Sequence, residues 1–279
     1  MAILTKTSVK SLHRIVPIFL TFLFYADQVC ASQSSRKEPK RKKTDITIYT
    51  PEPDQILSKS PIHKRVQPSR EAKNPLHANT ALNIDGIDVS HYQGNIDWRK
   101  VAKANISYAY LKATEGASLV DDTYWKNLTE AKRHRIKVGS YHFYRANVSV
   151  EEQFQNMTAT VKASDQNLLP VIDVEIKPRR ISDEKFIKDL KLFLERITQH
   201  YGRKPVIYTF YNFYNRYLSG KLPGYVWMIA RYSEEAPELN DGQEYIIWQY
   251  TSNGELDGIS GPVDRSKIMN SGSLEDLSF

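Results

Sequence analysis

From Leu82 onward the sequence alternates short apolar runs with amphipathic stretches, and this alternation restricts the fold more than any other feature. The runs "NIDGIDVS", "SYAYLKA", "IKVGSYHFY", "LLPVIDVE", "KPVIYTF", "YVWMIA" and "EYIIWQY" have the length and the β-branched and aromatic content of strands. Between the early runs the spacing predicts helices over about 98–103, 122–134, 149–161 and 182–201. The last of these carries Phe186, Leu190, Phe193, Leu194 and Ile197 on one face. Strand then helix, repeated, implies parallel strands joined by crossovers. After the fifth run the helical segments shrink, and from Tyr225 strand follows strand. The expected fold is therefore α/β, a TIM-like barrel whose later repeats have lost their helices. Residues 82–268 fall short of the roughly 250 that a full eight-fold barrel takes, and the lost helices account for the difference.

The segment before the barrel has a different texture. Lys6, Lys10 and Arg14 precede the apolar run "IVPIFLTFLFYA", and "DQVCASQ" follows with Val29 and Ala31 placed as in a small-residue cleavage site. Residues 1–31 are expected to be an export signal cut after Ala31. An uncleaved anchor is the alternative, although the run is shorter than the about 20 residues that cross a bilayer. Cys30 is the one cysteine; Asp27 and Val29 before it fit a lipoprotein signal poorly, and a cut after Ala31 leaves a chain without disulfides. Residues 32–81 include "RKEPKRKK", several prolines and few large apolar side chains, the composition of a disordered basic linker. Residues 1–31 hold a net +2 and residues 32–81 a net +6, which leaves −1 of the chain's +7 for residues 82–279. The folded part is near neutral, so a nucleic-acid-binding domain is disfavoured. Behind an export signal "KRKK" reads as a solvated spacer drawn weakly to anionic envelope polymers. The plan is thus signal 1–31, linker 32–81, barrel 82–268 and C-terminal tail 269–279.

Within the barrel, "LLPVIDVE" ends an apolar run on two carboxylates, Asp173 and Glu175. Residues i and i+2 of a strand share a face with their Cα atoms roughly 6.5–7 Å apart. The pair therefore points one way while Ile172 and Val174 face the helices. In β/α barrels the working groups gather where the strands end, which is where this pair stands. Asp88 ends the first run in "GIDVS", and Asp264 in "GPVDRS" would end a last strand lying next to the first. A lone strand-end Asp is ordinarily a turn or helix cap. Four acids around one mouth repel one another, so at least one should have a raised pKa and serve as a general acid near neutrality.

Taken together, "GIDVSHYQGNIDW", "YAYLKATEG", "GSYHFY", "PVIDVE", "VIYTF" and "WQYTS" resemble, in order and approximate spacing, the glycoside hydrolase family 25 lysozymes, the Chalaropsis-type muramidases. The resemblance covers about residues 84–268. It implies a (β/α)5(β)3 barrel and hydrolysis of the β-1,4 bond between N-acetylmuramic acid and N-acetylglucosamine in peptidoglycan, with the glycan strands as partner. By motif position it implies Glu175 as the general acid, Asp173 as its partner, and Asp88 and Asp264 as flanking acids. The family usually carries Asn two residues after the last Asp. Here Ser266 follows Arg265, which leaves the role of Asp264 less secure. Asp173 can attack the anomeric carbon or orient the sugar's 2-acetamido group as an internal nucleophile; both routes retain configuration.

Tyr141, Tyr144, Tyr208, Trp227, Tyr232, Trp248 and Tyr250 fall at or near strand ends and are candidate sugar contacts, though any one of them fits a core or rim position as well. Lys112 and Glu115 in "KATEG" suggest a charge pair supporting the pocket. His142 has no second His or Cys at metal-ligand spacing and reads as a hydrogen-bonded core residue. No metal or cofactor is expected. Four sequons, at Asn105, Asn127, Asn147 and Asn156, would carry glycans in a eukaryotic host, and chance explains them equally well. The expected protein is a monomer exported to the cell envelope, periplasmic or secreted. Two rivals are a chitinase-like hydrolase, whose fuller D-x-x-D-x-D-x-E pattern "LPVIDVE" lacks, and a barrel that binds glycan without cleaving it, against which the intact Asp88, Asp173 and Glu175 speak.

Overall fold

A computed structural model of the chain describes residues 84–269 and 272–279; the expected export signal and basic linker lie outside the described residues. Strands β1 (Asp85–Val89), β2 (Ile106–Glu115), β3 (Leu119–Val120), β4 (Lys137–Phe143), β5 (Val171–Asp173), β6 (Val206–Phe210), β7 (Val226–Ala230), β8 (Ile247–Gly254) and β9 (Val263–Ile268) form one sheet. Its order is β1-β9-β8-β7-β6-β5-β4-β2-β3, and β1 also pairs with β2, so eight strands close a barrel and β3 extends β2 as a short hairpin. All pairings from β1 through β8 around the barrel are parallel, whereas β9 runs antiparallel to both of its neighbours.

Helices α1 (Trp98–Lys103), α2 (Tyr124–Arg133), α3 (Val150–Thr160) and α4 (Asp183–Tyr201) follow β1, β2, β4 and β5. Only a short helical segment, Tyr211–Phe213 running on as Tyr214–Leu218, follows β6. Five strand–helix units and three further strands make the (β/α)5(β)3 arrangement. Local chemistry sets the helix starts. Asp97, Ser149 and Ser182 each accept a backbone N–H of the first turn, and Gly202 ends α4 at a φ of 73° that suits glycine. The apolar stripe of α4, Phe186, Leu190, Phe193, Leu194 and Ile197, is buried against the outward faces of the strands, as its spacing predicts.

The barrel interior is filled by aromatic rings laid over glycines. A Cβ on Gly86 would lie 2.1 Å from the ring of Tyr108, and one on Gly139 would lie 2.3 Å from that of Tyr110, so each tyrosine needs its glycine opposite. The C-terminal segment closes the end of the barrel away from the strand tips. Leu277 is fully buried, its carbonyl accepts Leu169 N at 2.7 Å, and Phe279 N bonds Asn167 O at 3.2 Å. Two of the sequon asparagines work inside the fold: Asn127 accepts Trp98 Nε1 at 3.1 Å, and Asn156 Nδ2 donates to the carbonyls of Gly116 and Leu119.

Candidate active site

Three strands, β1, β5 and β9, bring the four acids together. In β1, Ile87 and Val89 pack into the helix layer and leave Asp88 to the interior. Asp264 stands directly opposite Asp88 in the β1–β9 register. The expectation that Asp264 ends the last strand is corrected: it is the second residue of β9. It still reaches the same mouth, because an antiparallel strand enters where the parallel ones leave.

Asp173 is the last residue of β5, and Glu175 lies just beyond. Val174 N bonds Tyr208 O at 2.9 Å, and Val174 O accepts Thr209 Oγ1 at 2.7 Å. These bonds hold the chain extended past the strand end, so Glu175 keeps the side that Asp173 has. Asp173 is 8% exposed, and its Oδ1 takes no hydrogen bond from any described residue. Glu175 is half-buried beside the Tyr208 hydroxyl, which eases its ionisation.

Gln249, in β8, ties this group together. Its Nε2 donates to both carboxylate oxygens of Asp88, at 2.9 and 3.1 Å. Its Oε1 accepts the hydroxyls of Tyr208 at 3.0 Å and Tyr232 at 3.2 Å. Sequence reasoning assigned it no role. The signal that could have found it is alternation: Trp248 and Tyr250, its neighbours on either side, cannot share its face of a regular strand.

The same parity sorts the other expected contacts. Tyr141 points inward near Asp88, Asp173 and Asp264, and Tyr208 and Tyr232 meet at Gln249. Four aromatics expected as sugar contacts are not brought to the acids. Tyr144 packs on Phe193 of α4 at 5.3 Å, and Trp227 on Tyr214 at 4.8 Å, both in the layer between strands and helices. Trp248 donates its Nε1 to Arg231 O at 2.9 Å and lies under Lys267, and Tyr250, at a bulge in β8, sits with Arg265 and Lys267. His142 is on the outward side too, bonded through Nδ1 to Thr114 at 2.8 Å and packed on Phe193.

Lys112 and Glu115 form the expected pair, Nζ to Oε2 at 2.7 Å, and Arg145, which sequence reasoning passed over, grips the other oxygen of Glu115. Ser266 fills the interior by bonding Tyr108 Oη at 2.9 Å, while Arg265 turns outward to Asp85. His91, Asp121 and Asp122 are the one group among the described residues that gathers three side chains suited to holding a metal. Asp121 is already engaged by the ring and backbone N–H of His91 and by both donors of Thr123, which makes the cluster a loop clamp.

Burial dominates the electrostatics of the mouth. It raises Asp88 to about 6, partly offset by the hydrogen bonds from Gln249 and Asp264. It raises Asp264 to about 8, helped by the charges of Asp88 and Glu175. Burial brings Glu175 to about 7 against the pull of the neighbouring Tyr208 hydroxyl, with the Asp88 charge adding to the rise. Asp173 is pushed well above the usual carboxylate range by burial and then by the Glu175 charge, with Lys112 pulling the other way. Glu115 differs: burial opposes its charge, but its bonds to Lys112 and Arg145 prevail and hold it below the ordinary value. Near neutrality the mouth therefore offers both a transferable proton and fixed negative charge, the pair of functions an acid-catalysed glycosidic cleavage needs.

The family model "Glycosyl hydrolases family 25" matches residues 87–259. The chain is 35% identical over 199 residues to the uncharacterised protein YegX of Escherichia coli strain K12, covering 70% of this chain and 72% of that one. It is 33% identical over 201 residues to Lysozyme M1 of Streptomyces globisporus, covering 66% and 67%. The structure of a family 25 glycosyl hydrolase from Bacillus anthracis superposes with a TM-score of 0.65 at 32% identity, covering 74% of this chain and 97% of the other.

Proposed function

The chain belongs to glycosyl hydrolase family 25 and is a peptidoglycan hydrolase of the lysozyme class; from that premise we propose that Glu175 protonates the leaving oxygen while Asp173 stabilises the reacting sugar from beneath. The observation that carries the division of labour is the bare Oδ1 of Asp173, a buried acceptor with no donor among the described residues. A sugar with a 2-acetamido group brings such a donor, its amide N–H. In the free enzyme Asp173 and Glu175 titrate together, and burial favours the neutral form of each. An acetamide N–H on Oδ1 stabilises the Asp173 charge and leaves the proton on Glu175, where the leaving group can take it. Asp173 then aligns the acetamide oxygen for attack on the anomeric carbon, and configuration is retained. Asp88 and Asp264 hold the sugar-facing wall of the mouth, joined by Tyr141, Tyr208 and Tyr232.

The substrate is peptidoglycan, so the work is done in the cell envelope, and no described helix is long and apolar enough to cross a membrane. Export through residues 1–31, a linker over 32–81 drawn to anionic wall polymers, and a monomeric state complete the reading from sequence. Incubation with purified peptidoglycan should release reducing ends that are N-acetylmuramic acid when identified by borohydride reduction and mass spectrometry. Reducing N-acetylglucosamine ends, or none, would sink the assignment.

A further inference from the structure

We propose that Gln249 is a positioning residue that keeps the negative charge of the Asp88–Asp264 pair on Asp88 and leaves the shared proton on Asp264. Two carboxyl groups directly opposite one another on adjacent strands cannot both be ionised at little cost, so the pair holds one proton over a wide pH range. What decides its place is the third partner. Gln249 is 1% exposed, and its amide cannot turn, because its oxygen is held by two phenol hydroxyls and its nitrogen faces Asp88. An amide nitrogen only donates. It reaches both oxygens of Asp88 and makes no bond to Asp264, so it favours the carboxylate form of Asp88 alone. Asp264 then donates its proton across the strand pair and acts as a neutral hydrogen-bonding group. Burial without any such donor, next to the Asp88 charge, acts on Asp264 in the same sense.

The consequence reaches Glu175. A charge fixed on Asp88 discourages ionisation of Glu175 and so keeps the proposed acid protonated. The titratable groups facing the pair are Asp173 and Glu175 from β5, Tyr108 and Tyr141 from β2 and β4, and Tyr208 and Tyr232 on the far side of Gln249. The tyrosines stay neutral throughout the working range, so the carboxyls alone set the pH response.

The proposal rests on the reading that this mouth is the catalytic one, and its first test is independent of catalysis. The full chain labelled with 13C at the aspartate carboxyl carbons is titrated by NMR, the two signals being assigned by their loss in Asp88→Asn and Asp264→Asn. At pH 7 the Asp88 signal should have the shift of a carboxylate and the Asp264 signal that of a neutral acid; the reverse order overturns the proposal, whatever the activity. Kinetics give the second test. Gln249→Leu should lower kcat/KM on peptidoglycan roughly 10- to 100-fold and move the acid limb of its pH profile upward by about one unit, because Asp88 loses the donor that favours its charge. An unmoved acid limb would count against it. Should Gln249→Leu fail to fold, Asp264→Asn and Asp264→Leu decide: Asn, which still donates, should recover most of what Leu loses, and equal losses would show that Asp264 acts through its charge.

Discussion

The two faces of the barrel strands differ by one residue in sequence and by the sign of their response to pH. On the inner face Asp88, Glu175 and Asp264 are raised to about 6, 7 and 8, chiefly by burial among one another. On the outer face His142, one residue from the inward Tyr141, is lowered to about 4 because burial in the helix layer penalises its charge. Burial acts on both faces, yet the inner one holds protons and the outer one refuses them. Burial alone does not make a catalytic group; burial of like charges facing a common opening does.

The comparison is tested hardest at "DVE". Glu175→Gln keeps shape and hydrogen bonding but has no proton to give, so turnover on peptidoglycan should fall roughly 10²- to 10⁴-fold. Asp173→Asn removes the charge that supports the acetamide and should be comparably damaging. A substrate with an activated aryl leaving group hardly needs protonation. There Glu175→Gln should recover much of its first burst of aryl release, and Asp173→Asn should not. Recovery by Asp173→Asn alone would exchange the two roles.

A smaller effect is expected in stability. An acid raised in the folded state stabilises the fold fully below its unfolded value and loses that contribution as pH climbs through the folded one. For Glu175 the window runs from about 4.5 to 7. Glu175→Gln, which cannot ionise, should therefore melt a few degrees above the parent at pH 8, with the difference gone near pH 4. His142 has the opposite sign: its contribution is present above about 6.5 and fades as pH falls through about 4. A melting curve that rises steadily with pH across both windows would mean that the inner acids are not buried as neutral groups.

Much of this was legible from sequence. Helices α1–α4 fall within about two residues of where periodicity and caps put them, and the pairing of Asp173 with Glu175 follows from the two-residue repeat of a strand. The failures share one cause. Residue type and position near strand ends point to Tyr144, Trp227, Trp248 and Tyr250 as sugar contacts, whereas the face each occupies turns it away from the acids. Strict alternation from Tyr141 excludes Tyr144, and from Gln249 it excludes Trp248. The reversal of β9 was hidden for another reason: a six-residue strand, "VDRSKI", carries no mark of its direction, which depends on the length of the connection before it. Gln249 was missed because a buried amide becomes visible only through its partners.

The smallest effect isolates the two faces by one chemical change made twice. Tyr144 and Tyr208 are both buried, and removing either hydroxyl takes away one oxygen and no ring. Tyr144 Oη has no partner among the described residues, so Tyr144→Phe relieves an unpaired polar atom in an apolar layer. Its melting temperature should stay level or rise by about 1–3 °C, and kcat/KM should not move. Tyr208 Oη bonds Gln249 and supports the Glu175 charge. Tyr208→Phe should leave Glu175 harder to ionise, which shifts the basic limb of the pH profile upward by less than about one unit, and should lower kcat/KM a few-fold as Gln249 loses one of its two anchors. The basic limb is the informative quantity, since a packing defect would lower activity at every pH alike. If Tyr144→Phe moved that limb as far as Tyr208→Phe does, the helix-facing side would be coupled to the acids, and the separation of the two faces would fail.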